Sequence, residues 1–579
     1  MAIKTTTDTA RRIAQYISRA GAVRQVTENY EDITADVSDR IPSDMISPES
    51  EGMESEYILK FYREIENKKT LNMQTVTIAR NGKIISCGEF YPYKENILAE
   101  THSFSKSVIS LAVGMLVDDG KLRVDTTLGE IFADDIKGLQ MITTAKLKIH
   151  HLLTMSTGVS FNELGSVTEN DWVKAYLSSV VKFRAGTVFE YNSMNTYMLA
   201  ATVVKLSGKS VCEFLDERLF APLGIKEYYW EKCPKGIEKG GWGLHILPRD
   251  AVKLGQLIID QGVYNGERII SEKWIREATR VQIKTPPITG SYDYGYQMWI
   301  SEDDDEVLFN GIFGRNLHIF RKTHMVIFTT AMNGDIFQRC DLYPIIKKYF
   351  GKRFVPAATL PEDPGALKSL REYEKMLSHP HSLYRRIYDD SYRSDGEPYF
   401  TERKNFSFSF DTKTTCGISI LPTVSQAIHN NFRKGIRKIA FTFNDDSVEI
   451  SVTESDCKYD FTAGCGYAAE SVVKIGCREY RIASMCELTQ TEDDVPVMKL
   501  SVSFLQLSDG RYIKFYFDED GLTAQFDELP GALFAQSGLD MIIRDSVNPS
   551  LVESARHTVN SRLFKSRLIN FLNPTVKSK

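Results

Sequence analysis

A chain of 579 residues with 42% apolar and 25% charged side chains has an ordinary globular composition, with enough apolar surface for more than one core and a length that suggests about three or four domains. Its 71 basic and 76 acidic side chains leave a net charge of −5 without a long basic stripe, which excludes nucleic acid as an expected partner. Nine scattered cysteines, none in C-x-x-C, point to a reducing compartment and to no zinc site, and no run approaches the ~20 apolar residues of a membrane span.

The amino terminus lacks an apolar h-region, so a cytoplasmic chain with no membrane partner is expected. Thr9 to Gln25, carrying Arg11, Arg12, Arg19 and Arg24, reads as an amphipathic helix within an N-terminal extension spanning 1–46. The first chemical signal is Thr101-His102-Ser103-Phe104-Ser105-Lys106, where polar residues give way to the apolar-periodic run Val108, Ile109, Leu111, Ala112, Met115, Leu116. Residues three apart on a helix share a face, so Lys106 can fold back onto the Ser103 hydroxyl. A serine hydroxyl needs such a base, and lysine serves as one only if burial and the helix dipole lower its pKa. The pattern alone is weak, since Ser179/Lys182, Ser455/Lys458 and Ser471/Lys474 repeat it.

Downstream, Arg184-Ala185-Gly186-Thr187 forms a turn before Tyr191, Asn192, Ser193 and Asn195, which lead into an apolar helix. A tyrosine beside a lysine can relay a proton to a leaving group. Leu147 to Gly158 and Gly240-Gly241-Trp242-Gly243, followed by Pro248-Arg249-Asp250, are further segments that enter the resemblance below, and Glu302 to Glu306 reads as a solvated hairpin loop.

With these segments in hand, 47–355 resembles the serine β-lactamase and penicillin-binding-protein superfamily, in the class C β-lactamase-like branch that includes esterases, D-aminopeptidases and amide-oligomer hydrolases. The resemblance implies an α/β (α+β) domain, an antiparallel sheet flanked by helices plus a helical subdomain that holds Tyr191. It implies Ser103 as the acylated nucleophile, Lys106 as base or proton shuttle, and Tyr191 as the proton donor to the leaving group. Which of Lys106 and Tyr191 deprotonates Ser103 is left open. Ser193 stands where many relatives carry the amide of a Y-x-N motif, so its hydroxyl is expected to hold Lys106 while Asn192 or Asn195 meets substrate. The family's Lys-Thr-Gly or His-x-Gly triplet is matched here by Phe309-Asn310-Gly311, without the cation. Asn310, Gly311 and Ile312 therefore line the site, with the Ile312 and Ser103 N–H groups as the expected oxyanion hole. Arg315 either supplies the missing charge or faces solvent.

Pro356 to Pro364 and Gly365 punctuate the chain, and a connector helix, Ala366 to Leu377, lies in a linker spanning 356–404. From about Asn405 the period changes to two, as in Phe406/Phe408/Phe410 and Val448/Ile450/Val452, with hairpin signals at Ser508-Asp509-Gly510 and Asp520-Gly521. A C-terminal antiparallel β-barrel or sandwich over 405–535 is expected, interrupted by a helix at Val424 to Phe432 and followed by a helical tail, Pro549 to Leu572, within 536–579. Its two S-x-x-K copies fall in strand or loop sequence, where period two puts Ser and Lys on opposite faces.

The function expected is hydrolysis of a small ester or amide, with β-lactams and D-amino-acid peptides among the candidates, through an acyl-enzyme on Ser103 and without cofactor or metal. The alternative is a catalytically weak, penicillin-recognising or ligand-binding sensor that keeps the fold. A nucleophile-elbow hydrolase is disfavoured because no G-x-S-x-G occurs, and His102 diverges from Ser103 by about 100° on a helix. A homodimer is compatible with the sequence.

Overall fold

The computed structural model describes residues 45–138, 141–166, 169–334, 337–380, 399–400, 404–531 and 572–579. The expected helix at Thr9–Gln25 lies outside them, as does the expected tail helix up to residue 571. A seven-stranded antiparallel sheet runs in the order Lys83–Glu89, Met73–Arg80, Met325–Ala331, Arg315–Phe320, Glu306–Gly311, Trp299–Ser301, Asp293–Tyr294. Every residue of Met73–Arg80 and of Met325–Ala331 is buried, because helices cover both faces. On one face Ser55–Asn67, Leu342–Phe350 and Pro364–Leu377 pack through Ile58, Leu59, Ile345, Ile346 and Leu370 onto Val76, Ile78 and Ile327. On the other, Pro248–Ile259 lies so close that a Cβ on Gly255 would fall 2.5 Å from Val326, and glycine is what that approach requires.

Ser105–Asp118 is the central helix of the same side, with every residue from Ser105 to Leu116 buried. A helix surrounded in this way turns apolar residues to every side, which explains the dense run after Lys106, with the small Ser105, Ser107 and Ser110 buried among them. It packs against Ser193–Ser207, the long helix of the helical subdomain, in one core that also holds Phe309, Leu317 and Phe328 of the sheet. The domain is thus β-lactamase-like, with antiparallel strands, flanking helices and a helical subdomain.

The connector helix is observed as Pro364–Leu377, capped by Asp363, which accepts from the Ala366 N–H at 2.9 Å. It docks on the outer helical layer of the first domain, through Leu370 and Leu377, instead of hanging between two domains.

Residues 405–529 and 575–577 build a ten-stranded curled sheet running from Asn405–Ser409 at one end to Thr575–Lys577 at the other, with Ala469–Ile475 branching off to pair with Arg478–Gln490. Its strand pairs are antiparallel apart from the contact of Lys458–Cys465 with Arg478–Gln490. Curling brings the ends together, since the Lys579 N–H donates to the Ser409 carbonyl at 2.8 Å, and phenylalanines fill the interior, with Phe406 and Phe517 ring centres 5.1 Å apart. The expected helix at Val424 to Phe432 is shorter, Thr423–Ile428, because Asn430 turns left-handed at φ 51° and ends it. Thr575–Lys577 forms a strand on Gly521–Leu529. Among the described residues no helix is long and apolar enough to cross a membrane.

The close fit around the central helix generates a test. A Cβ on Gly114 would sit 2.4 Å from the Trp274 indole. Gly114→Ala is therefore expected to lose about 1–3 kcal/mol, read as a lower thermal unfolding midpoint.

Candidate active site

Ser103 lies in a short 3-10 turn, His102–Phe104, that runs directly into the helix Ser105–Asp118, so Lys106 stands one turn on and on the same face. Lys106 Nζ is 2.9 Å from Ser103 Oγ, 2.9 Å from Ser193 Oγ and 2.6 Å from the Gly241 carbonyl oxygen. The residue is only 1% exposed. Burial disfavours the ammonium, the Glu163 carboxylate partly restores it, and the balance is a pKa lowered to about 7. In the neutral amine, Gly241 O can only accept and Ser193 Oγ can accept, so the two N–H bonds are used there and the lone pair is left for the Ser103 hydroxyl.

Tyr191 immediately precedes Asn192, the N-cap of Ser193–Ser207. Its half-buried ring stacks on Trp299 at 5.9 Å and meets Phe337 edge-on, and Lys106 Nζ lies 4.9 Å from its centre. The phenol pairs with Ser103. Burial raises its pKa above the ordinary phenol value despite that bond, so Tyr191 is a protonated donor near neutral pH.

Ser193, the first residue of its helix, bonds Lys106 through its side chain while its N–H donates to Glu163 Oε1 at 2.7 Å. The turn that presents Gly241 presses directly on Ser193. A Cβ on Gly241 would meet the Ser193 carbonyl at 2.7 Å, and one on Gly240, at φ 65°, would meet Ala200 at 2.8 Å. Two glycines allow that approach and place the carbonyl acceptor for Lys106.

The other expected residues divide. Asn192 caps the Met194 N–H at 2.9 Å and donates to the Val159 and Phe161 carbonyls at 3.1 and 2.9 Å. Asn195 is fully buried and accepts from Thr157 Oγ1 at 2.8 Å and Tyr176 at 2.7 Å. Both amides are thus engaged by the helical subdomain rather than turned to Ser103. Asn310 Oδ1 accepts from the Tyr343 hydroxyl at 2.7 Å, on the strand face that carries Leu308. Gly311 lies against the nucleophile turn, where a Cβ would be 2.3 Å from the Thr101 carbonyl, and Ile312 opens the next turn.

Arg315 takes neither expected place. It is fully buried, and its guanidinium donates to the Glu100 carbonyl at 2.6 Å and to Gln74 Oε1 and the Leu507 carbonyl, behind the nucleophile turn. Burial lowers its pKa to about 10, against the opposing pull of Glu100. His102 likewise points away from Ser103, with Nε2 2.6 Å from Ser508 Oγ.

Sequence patterns did not point to Gly241 O, a backbone acceptor with no residue signature, or to Glu163, whose only signal is a carboxylate inside the aromatic stretch Phe161 to Trp172. Among the described residues, Glu100, Glu231 and His429 bring three ligand atoms within 4.8 Å, and so do Glu454, Asp456 and Cys457. Lys239 and Arg478 already bond Glu231 at 2.9 and 2.6 Å, and Arg433 bonds Glu454 at 2.7 Å. Protein cations therefore stand where an ion would be needed.

Residues 66–338 match the family model described as Beta-lactamase. The 6-aminohexanoate-dimer hydrolase of Paenarthrobacter ureafaciens is 24% identical over 253 residues, covering 39% of this chain and 64% of that protein's length. Among solved structures, the D-amino acid amidase of Ochrobactrum anthropi SV3 aligns at TM-score 0.40 with 16% identity, over 47% of this chain and 91% of that one. The octameric penicillin-binding protein homologue from Pyrococcus abyssi aligns at TM-score 0.37 with 16% identity, over 82% of this chain and 98% of that one.

The roles of Asn192 can be separated by substitution. Asn192→Ala is expected to cost about 1 kcal/mol or more through the lost cap, seen in thermal unfolding, with KM unchanged. A large rise in KM at unchanged stability would place the amide on substrate instead.

Proposed function

We propose, from the match of residues 66–338 to the Beta-lactamase family, that this protein is a serine hydrolase which opens a small amide or ester through an acyl-enzyme on Ser103. The observation that carries the reading is Lys106, buried, with a pKa lowered to about 7 and its Nζ 2.9 Å from Ser103 Oγ. Neutral Lys106 takes the Ser103 proton as Oγ attacks the carbonyl carbon, and the N–H groups of Ser103 and Ile312 receive the oxyanion. Tyr191, held protonated, gives its proton to the departing nitrogen or oxygen as the carbon–heteroatom bond breaks, and regains one from the Lys106 ammonium. Water then attacks the acyl carbon and loses a proton to Lys106, and the Lys106 ammonium returns that proton to Ser103 Oγ as the acyl C–O bond breaks.

The third strand motif has Phe309, buried in the core, at the position of the triplet's cation, and Arg315 is buried behind the nucleophile turn. That favours linear amides and esters over β-lactams, in keeping with the amide substrate in the name of the Paenarthrobacter relative. A sensor without turnover predicts labelling of Ser103 but no product from short-chain p-nitrophenyl esters or linear amides.

Ser103→Ala is expected to abolish labelling by a fluorophosphonate, and Lys106→Ala and Tyr191→Phe to slow it by about 100-fold or more. Labelling that persists in Ser103→Ala would sink the proposal. The labelling rate is expected to rise with pH through about 7, the pH at which Lys106 loses its proton, and to level off above it. Glu163→Gln removes the carboxylate that stabilises the ammonium, so the midpoint should move to lower pH; an upward shift would contradict the assignment.

A further inference from the structure

Behind Ser103 lies a buried polar network shared by the two sheets. The Glu100 N–H donates to the Gln506 carbonyl at 2.8 Å, and Arg315 ties the Glu100 carbonyl to that of Leu507. His102, at φ 49°, directs Nδ1 to Glu100 Oε1 at 3.3 Å and Nε2 to Ser508 Oγ at 2.6 Å. A carboxylate only accepts, so a neutral His102 carries its proton on Nδ1 and accepts the Ser508 O–H at Nε2. Burial lowers the His102 pKa despite Glu100 beside it, which keeps the ring neutral.

A second arm reaches the acceptor of Lys106. His429 Nδ1 and Arg478 Nη1 lie 2.7 and 2.6 Å from Glu231 Oε1, and Lys239 Nζ lies 2.9 Å from Glu231 Oε2. The backbone continues the chain, with the Lys239 N–H on the Glu231 carbonyl at 2.8 Å and the Gly241 N–H on the Lys239 carbonyl at 2.6 Å. The arms meet where His429 Nε2 lies 3.6 Å from Glu100 Oε2. Glu100, His102, Glu231, His245, Arg315, His429 and Arg478 are each at most 2% exposed. Arg478 and Lys239 both bond the Glu231 carboxylate, so protein cations already occupy that arm of the cluster.

We infer that the curled β-domain is a working part of the active site, its Ser508 and Arg478 acting as positioning residues that fix the nucleophile turn and the Gly241 carbonyl. This rests on the hydrolase reading above and adds to it a role for the second domain. Ser103 Oγ, Lys106 Nζ and Gly241 O must hold their places to tenths of an ångström for the proton to move during attack. Two of the three sit on segments backed by the second domain. Loosening that backing should cost rate in the covalent step and leave reversible binding alone.

The experiment measures fluorophosphonate inactivation of the 579-residue chain, separating kinact from KI, with thermal unfolding of each variant as a fold control. Ser508→Ala is expected to lower kinact roughly tenfold or more with KI unchanged, and Ser508→Thr, which returns the hydroxyl, to recover most of it. Arg478→Met should show the same split where it folds; if it does not, the Ser508 pair decides. Unchanged kinact in folded Ser508→Ala, or a loss confined to KI, overturns the inference while leaving wild-type labelling of Ser103 in place. Wild-type protein that is not labelled at Ser103 overturns the hydrolase reading and this inference with it.

Discussion

The structure around Ser103 depends on keeping one ammonium-bearing chain out of water. Lys106 enters the first turn of a helix buried from Ser105 to Leu116, and the surrounding core gives its Nζ three oxygen neighbours and, among the described residues, no directly paired carboxylate. Burial brings its pKa down to about 7, while Glu163 keeps it from falling further. A lysine in water would hold its proton near neutral pH and could not serve as base; one fully stripped of partners would have no fixed direction. Two acceptors besides Ser103 orient it, and one of these is a carbonyl held in place by two glycines.

The same arrangement assigns complementary states to its neighbours. Tyr191 is walled by Trp299 and Phe337, and its burial moves the phenol upward while that of the lysine moves downward. A phenol and an amine that titrate close together in water are driven apart, one to the acid side and one to the base side. Behind them the second domain supplies Gln506, Leu507, Ser508, His429 and Arg478 to a buried polar network.

Some of this was legible in the sequence and some was not, for physical reasons. The spacing of Ser103 and Lys106 needed only the helical repeat, and the change from period 3.6 to period two near Asn405 marked the β-rich domain. The S-x-x-K copy Ser471/Lys474 falls inside a strand, Ala469–Ile475, as its local pattern requires. Asn192 was harder, because an asparagine before a helix suits an N-cap as well as a substrate contact, and here its Oδ1 accepts from the Met194 N–H. Arg315 was hidden because its partners include Leu507, far away in sequence. The strand Thr575–Lys577 is too short to show a period. The hairpin signal at Ser508-Asp509-Gly510 located a turn, but nothing local says that the turn lies against His102.

The central claim is that Lys106 titrates near neutrality inside the folded protein. Carbon-13 NMR of protein labelled at lysine Cε measures this without substrate, by following each lysine signal with pH. One lysine is expected to titrate at about 7, and its signal to be missing in Lys106→Arg. If every lysine titrates close to the ordinary value of about 10.4, Lys106 is an ammonium at working pH and the proposed proton transfer from Ser103 is contradicted.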